Sequence, residues 1–310
     1  MRTATGPGGE QHQAASVPDP EPAGPVRRGA LSPSRASDFM QCPLLYRFRV
    51  LDRIPEAPSP AAVRGTVVHA VLERLFDLPP AERTAPAARA MVAGQWESLR
   101  EREPQLAGLF DETSPTAAAE LASWLRSAEE LLERYFELED PTRLQPAERE
   151  LRVEALLEDG LVLRGIVDRL DVAPGGELRV VDYKTGRAPS ELFEAKALFQ
   201  MRFYALVIWR LRGVVPRQLQ LVYLGSGDVL RHTPDEAQLL ATERKVRAVW
   251  AAIERATAAG DWRPSPGKLC KWCDHQVRCP AFGGTPPPRP PGAVPLPVVA
   301  PAAAGGPDPA

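Results

Sequence analysis

Two carboxylates and a lysine fall close together in the stretch Leu163–Gly186, which reads LRGIVDRLDVAPGGELRVVDYKTG. Asp168 and Asp182 lie near the ends of two strands expected to be neighbours, and Lys184 follows the second carboxylate by two residues. Residues i and i+2 of a strand point to the same side, so Asp182 and Lys184 share a face. Carboxylates converging on one sheet edge offer hard oxygen ligands to magnesium or manganese. A lysine beside such an ion holds an attacking water or stabilises charge developing on phosphorus. The chemistry implied is metal-assisted cleavage of a phosphodiester. A lone D-x-K pair is more often a salt bridge on a solvated edge, so the weight rests on the surrounding pattern.

That pattern changes period along the chain. A helix is expected over Ser34–Val50, capped by Ser34 or Ser37 and interrupted at Cys42-Pro43, with Phe39, Leu44 and Phe48 on its apolar face. Gly65–Leu78 reads as a second helix, with Val68, Leu72, Leu75 and Phe76 on one face. Two further helices, about Ala87–Arg102 and Pro115–Leu138, look like an inserted helical layer. From Glu148 the period falls to two, which predicts a meander of three strands ending near Tyr183, with Gly175-Gly176 as a tight turn. Glu191–Leu211 returns to helix, Leu219–Leu224 and Asp228–His232 read as a hairpin, and a helix of about Pro234–Ala259 closes the body. This order predicts an α/β fold with a mixed sheet flanked by helices.

The chain has 310 residues, is 44% hydrophobic and carries a net charge of −2, so it can bury a sizeable core and is unlike a small basic DNA-coating protein. Its acidic metal cluster would be offset by local Arg and Lys, so charge does not exclude a nuclease. Residues 1–30 are rich in Gly, Pro and Ala, and 282–310 hold ten prolines in 29 positions, so both are expected to be disordered tails. No stretch approaches the roughly 18 apolar residues of a membrane span, and none suits a signal peptide, which predicts a soluble, cytoplasmic protein.

GIVDRLD, then VVDYKTG, then QMRFY together resemble the RecB-type branch of the PD-(D/E)XK nuclease superfamily, including the AddB and CRISPR-associated exonuclease groups. The likeness spans roughly Leu31 to Phe282. It implies a restriction-endonuclease-like core over 31–281, with a helical insertion at about 84–139. Asp168 would be the central metal ligand, Asp182 a second ligand and Lys184 the catalytic lysine. His69, in GTVVH, would be a third metal ligand, and the Tyr183 carbonyl would face the ion. Gln200 and Tyr204 match a Q-x-x-x-Y element that positions DNA and the lysine. Their i, i+4 spacing independently puts them on one helix face. Glu148, Glu150 and Glu154 alternate outward and are not counted as ligands. Glu73, one helical turn from His69, is expected either to orient it or to pair with solvent. Arg169 is expected either to contact a DNA phosphate or to brace the carboxylates.

Four cysteines remain: Cys42, and Cys270, Cys273 and Cys279 spaced C-x2-C-x5-C. Thiolates in a reducing compartment at this spacing suit zinc or an iron–sulfur cluster, and spacing does not choose between them. The resemblance favours a 4Fe–4S cluster, held by one upstream and three downstream cysteines, in a segment of about 266–281. It would act as a staple rather than a catalyst. His275 inside this segment is a spare ligand candidate, but a surface role is expected. The resemblance as a whole implies a Mg2+- or Mn2+-dependent DNA exonuclease acting on single-stranded ends in repair or recombination. The chain lacks a Walker A motif, so it is not expected to be an ATP-driven helicase itself, and a helicase partner is an open expectation. Alternatives are a CRISPR-associated nuclease that trims DNA before spacer acquisition, and a non-catalytic DNA-end binding module.

Overall fold

The computed structural model describes residues 29–110, 114–188 and 191–289, with backbone alone for 191–196. The chain before 29 and the proline-rich tail beyond 289 lie outside the described residues. Strand β1 (Gly29–Leu31) enters the sheet first, two residues ahead of the Leu31 boundary read from composition. Helix α1 (Pro33–Gln41) follows, with Ser32 as its cap instead of Ser34 or Ser37. The Ser32 hydroxyl accepts from the Arg35 N–H, and Pro33 supplies the fixed φ that suits a first helical position. A short helix α2 (Pro43–Tyr46) and a π-helical turn at Arg47–Leu51 continue the segment. The same Ser-Pro device, Ser59-Pro60, starts α3 (Pro60–Leu75) five residues earlier than the apolar period indicates.

Helices α4 (Ala85–Arg102) and α5 (Ala117–Leu138) form the inserted layer with α3. Then come β2 (Glu148–Leu156), β3 (Leu161–Val172) and β4 (Leu178–Lys184) as an antiparallel meander. Helix α6 (Glu191–Arg212) crosses over to β5 (Gln218–Tyr223), parallel to β4, and β6 (Asp228–His232) closes a hairpin on it. The last helix, α7 (Glu236–Ala259), is capped by Asp235 and ended by Gly260 in the left-handed region at φ 66°. The result is a six-stranded mixed sheet in the order β1-β3-β4-β5-β6, with β2 on the other edge of β3.

Two cores lie on opposite faces of this sheet. One, holding Leu163, Val167, Leu170, Val180 and Leu221, packs under α1, α6 and α7. The other packs Val181, Tyr183, Val222 and Leu224 against α3, α4 and α5, around Trp96 and Trp124 at 4.9 Å edge to face. Alternation along β4 therefore sends Val180 to one core and Val181 to the other, as a strand buried on both faces requires. Among the described residues no helix is long and apolar enough to cross a membrane.

Candidate active site

The site forms where β3 changes partner. One edge of β3 pairs with β2 almost throughout, but its other edge is shared between β1 at Leu161–Leu163 and β4 at Arg169–Val172. Residues 164–168 have no ladder partner on that edge, so β3 and β4 splay apart at Asp168. Strand β2 breaks at the same level. Glu150 lies opposite Asp168 in register without pairing to it, and its φ is 45°. Such a left-handed non-glycine costs of order 1 kcal/mol or more and persists only where its surroundings hold it. The face pattern inverts across this break. Val153 and Val167 belong to the core under α6, whereas Arg149 reaches Asp77 at 2.8 Å and Arg169 stacks over Phe76 beneath α3.

This geometry brings His69, Asp168 and Glu150 together, with one ligand atom from each within 4.8 Å of the others. The Nδ1 of His69 lies 3.5 Å from Asp168 Oδ2 and 3.8 Å from Glu150 Oε1. Its Nε2 lies 3.0 Å from the Tyr183 carbonyl, and the Tyr183 N–H donates to Asp168 at 2.7 Å. A ring donating Nε2–H to that carbonyl turns its Nδ1 lone pair onto two carboxylates. That arrangement calls for a positive charge between them, a proton or a metal ion. Burial opposes protonation of His69, yet the Glu150 hydrogen bond and the Asp168 and Asp182 charges raise its pKa above the usual value. Burial first, and the Asp182 charge second, push Asp168 up to about 7. An oxygen-rich set with one imidazole fits Mg2+ or Mn2+.

Asp182 stands beside this group rather than in it. Its carboxylate contacts Lys184 Nζ at 2.6 Å and accepts from Gln200 Nε2 at 3.1 Å. Gln200 uses both ends of its amide, accepting from Lys184 at 3.2 Å and donating to Tyr204 Oη at 3.3 Å. Burial raises the Tyr204 pKa to about 12, so its phenol keeps its proton at neutral pH. Gly165 makes room for this tyrosine: a Cβ there would stand 2.5 Å from Tyr204 Cε1.

Two expectations, for Glu150 and His275, need correction, and two open alternatives, for Glu73 and Arg169, are decided. Glu150, discounted as an outward residue, joins His69 and Asp168 in the candidate metal group because the backbone turns at that position. Glu73 does not orient His69; the ring is held by Tyr183, Glu150 and Asp168, and the Tyr183 carbonyl faces His69. Arg169 does not reach DNA. It is 1% exposed and pairs with both oxygens of Glu139 at 2.7 and 2.9 Å. His275 is not at the surface: it is 1% exposed, packs on Phe48 and meets Glu56 at 2.8 Å.

All four cysteines carry free thiols and line one cavity of about 190 Å³ between α1 and the segment after α7. The N–H groups of Ser265 and Gly267 donate to Cys42 and Cys270, at 3.4 and 3.3 Å. Burial raises the Cys273 pKa, with a backbone hydrogen bond from His275 acting against it. Among the described residues no three cysteine sulfurs lie within 4.8 Å of one another. Four thiolates at about 2.3 Å from a single zinc would be that close.

The family model of the PD-(D/E)XK nuclease superfamily matches residues 30–280. The Gene 69 protein of Mycobacterium phage D29 is 27% identical over 282 residues, covering 81% of this chain and 96% of that protein. The Gene 69 protein of Mycobacterium phage L5 is 30% identical over 127 residues, covering 40% and 41%. A crystal structure of a candidate exonuclease from Eubacterium rectale superposes with a TM-score of 0.52 at 14% identity, covering 80% of this chain and 88% of that one. At that identity the likeness concerns the fold.

Proposed function

The chain belongs to the PD-(D/E)XK nuclease superfamily, and on that premise we propose that it is a metal-dependent exonuclease acting on single-stranded DNA ends. The observation that carries this reading is the juxtaposition of the His69–Glu150–Asp168 group with the Asp182–Lys184–Gln200–Tyr204 chain of contacts. His69, Asp168 and Glu150 would hold a divalent ion, with Asp182 the next carboxylate available to it. A bound ion supplies Lewis acidity and lowers the pKa of a coordinated water. Lys184, held by Asp182 and Gln200, keeps a positive charge where negative charge builds on the phosphate. Tyr204, un-ionised, fixes the Gln200 amide and so the lysine.

The test is degradation of end-labelled single-stranded DNA with manganese, against the same reaction in chelator. Cleavage should require the ion, and Lys184→Ala should lower kcat by about 10²–10³-fold, the cost of removing a preorganised charge at a transition state. Labels at the 5′ and 3′ ends would give polarity. Equal cleavage by wild type and variant would assign the activity to a contaminant. Binding without cutting by wild type would make the chain a DNA-end binding module.

We further propose that the chain falls in the RecB-type branch and holds a 4Fe–4S cluster on Cys42, Cys270, Cys273 and Cys279. The four cysteines line one cavity and Cys42 and Cys270 accept backbone N–H donors, which favour thiolate, but no three of the described sulfurs are grouped within 4.8 Å. Such a cluster would tie α1 to the end of the chain across more than two hundred residues and remove several kcal/mol of unfolded-chain entropy, as a rough loop-closure estimate. Anaerobically purified protein should be brown and Cys273→Ala colourless and protease-sensitive. A colourless wild type containing one zinc per chain would replace the cluster with zinc.

A further inference from the structure

Two grooves meet at the strand end that carries the lysine. One, about 740 Å³, is lined by Ser34, Ser37, Ile166, Arg187, Gln200 and Tyr204. The other, about 670 Å³, is lined by Thr66, His69, Glu73, Arg102, Glu150 and Arg152. Lys184 and Gly186 line both, so the end of β4 forms a saddle between them. The two grooves are joined a second time across the sheet, because Arg152 of one is the direct cross-strand partner of Ile166 of the other.

Resting on the nuclease reading, we propose that one single strand lies across both grooves, with its scissile phosphate over the saddle, and that Arg152 and Arg187 anchor its backbone on opposite sides of the cut. Both arginines belong to the groove walls, and among the described residues neither has an acidic partner. Asp38, the carboxylate nearest Ser37 in sequence on that wall, is already neutralised by Arg49 at 2.7 Å. The reacting groups are recessed: the Asp182 and Asp168 side chains are 3% and 11% exposed. A phosphate reaches them by descending into the grooves, which suits a flexible single strand better than a stiff duplex. Ile166, 40% exposed at the crossing, presents an apolar surface to an unstacked base.

The experiment compares wild type with Arg152→Glu, Arg187→Glu and the double variant, using a fluorescent 20-mer of oligo-dT. Arg255→Glu serves as an equal charge change on α7, outside both grooves. Anisotropy without metal gives Kd and its salt dependence, and manganese assays give KM and kcat. Each groove variant should raise Kd and KM about tenfold, lower the salt slope by about one and leave kcat within threefold. The double variant should weaken binding about a hundredfold, because both anchors hold the same strand. Circular dichroism melts would confirm that these exposed substitutions leave the fold intact. Should wild type bind and cut while either groove variant matched it, or should Arg255→Glu weaken binding as much, the two-groove track would be wrong and the nuclease would stand. Wild type that neither binds nor cuts a single strand overturns both.

Discussion

Asp168→Asn is expected to abolish cleavage, a loss of more than about 10³-fold, while raising the melting temperature of the metal-free protein at pH 8. The first effect follows from the proposed metal site, since asparagine removes a carboxylate from the centre of the His69–Glu150–Asp168 group. The second follows from linkage. An Asp in the unfolded chain releases its proton near 3.8, but in the fold burial and the Asp182 charge hold that proton to about 7. Between these values the folded state binds more protons than the unfolded state, so stability falls as pH rises through the window. Above it the folded protein bears the full cost of the buried carboxylate, on the order of a few kcal/mol. Asparagine is neutral throughout and its Oδ1 keeps the Tyr183 N–H bond. Metal-free wild type should therefore lose several degrees of Tm between pH 5 and pH 8 relative to the variant, at about 2–4 °C per kcal/mol for a chain of this size. Manganese should restore the wild type and leave the variant unmoved. A difference between the two proteins that did not change with pH would show that Asp168 is not held protonated.

The parts of this site that were legible in the sequence are those encoded by local spacing. Asp182 and Lys184 meet because a strand has a period of two, and Gln200 and Tyr204 meet because a helix returns to the same face after four residues. The order of helices and strands followed from the same periodicities, and β6 was bounded to the residue. What was not legible depends on breaks in those periods or on contacts between distant segments. Glu150 looked outward because strict alternation was assumed, and a single left-handed residue overturned it. Helix starts at Ser32-Pro33 and Ser59-Pro60 precede the apolar period, so reading inward from the apolar face placed both too late. His275 sits between Phe48 and Glu56, more than two hundred residues away, and nothing in the cysteine loop announces its burial.

Arg169 belongs to the same class, and it carries the second large effect. It is nearly fully buried, forked onto both oxygens of Glu139, 3.1 Å from Asp171, and donating to the Tyr183 hydroxyl between the Phe76 and Tyr183 rings. Glu139 also accepts from Gln220 at 2.8 Å, so the end of α5 is fastened to β3 and β5 at one point. Glu139→Ala removes the bidentate partner and leaves a buried guanidinium with Asp171 as its one remaining carboxylate, which should cost about 3–5 kcal/mol. That corresponds to a fall in Tm of roughly 10 °C. Arg169→Lys should not rescue, since an ammonium presents no fork and does not stack in the same way. Replacing both partners, as Glu139→Leu with Arg169→Met, should be less damaging than Glu139→Ala alone, because no unpaired charge remains. Tyr183 makes this more than a matter of stability. Its side chain is gripped by Arg169, while its N–H holds Asp168 and its carbonyl holds His69. Loosening the Glu139–Arg169 pair should therefore also raise the manganese concentration needed for half-maximal thermal stabilisation. If Glu139→Ala melted within 2 °C of wild type, the pair would be a surface-like contact despite its burial, and the metal ligands would have to be held by Glu150 and the sheet alone.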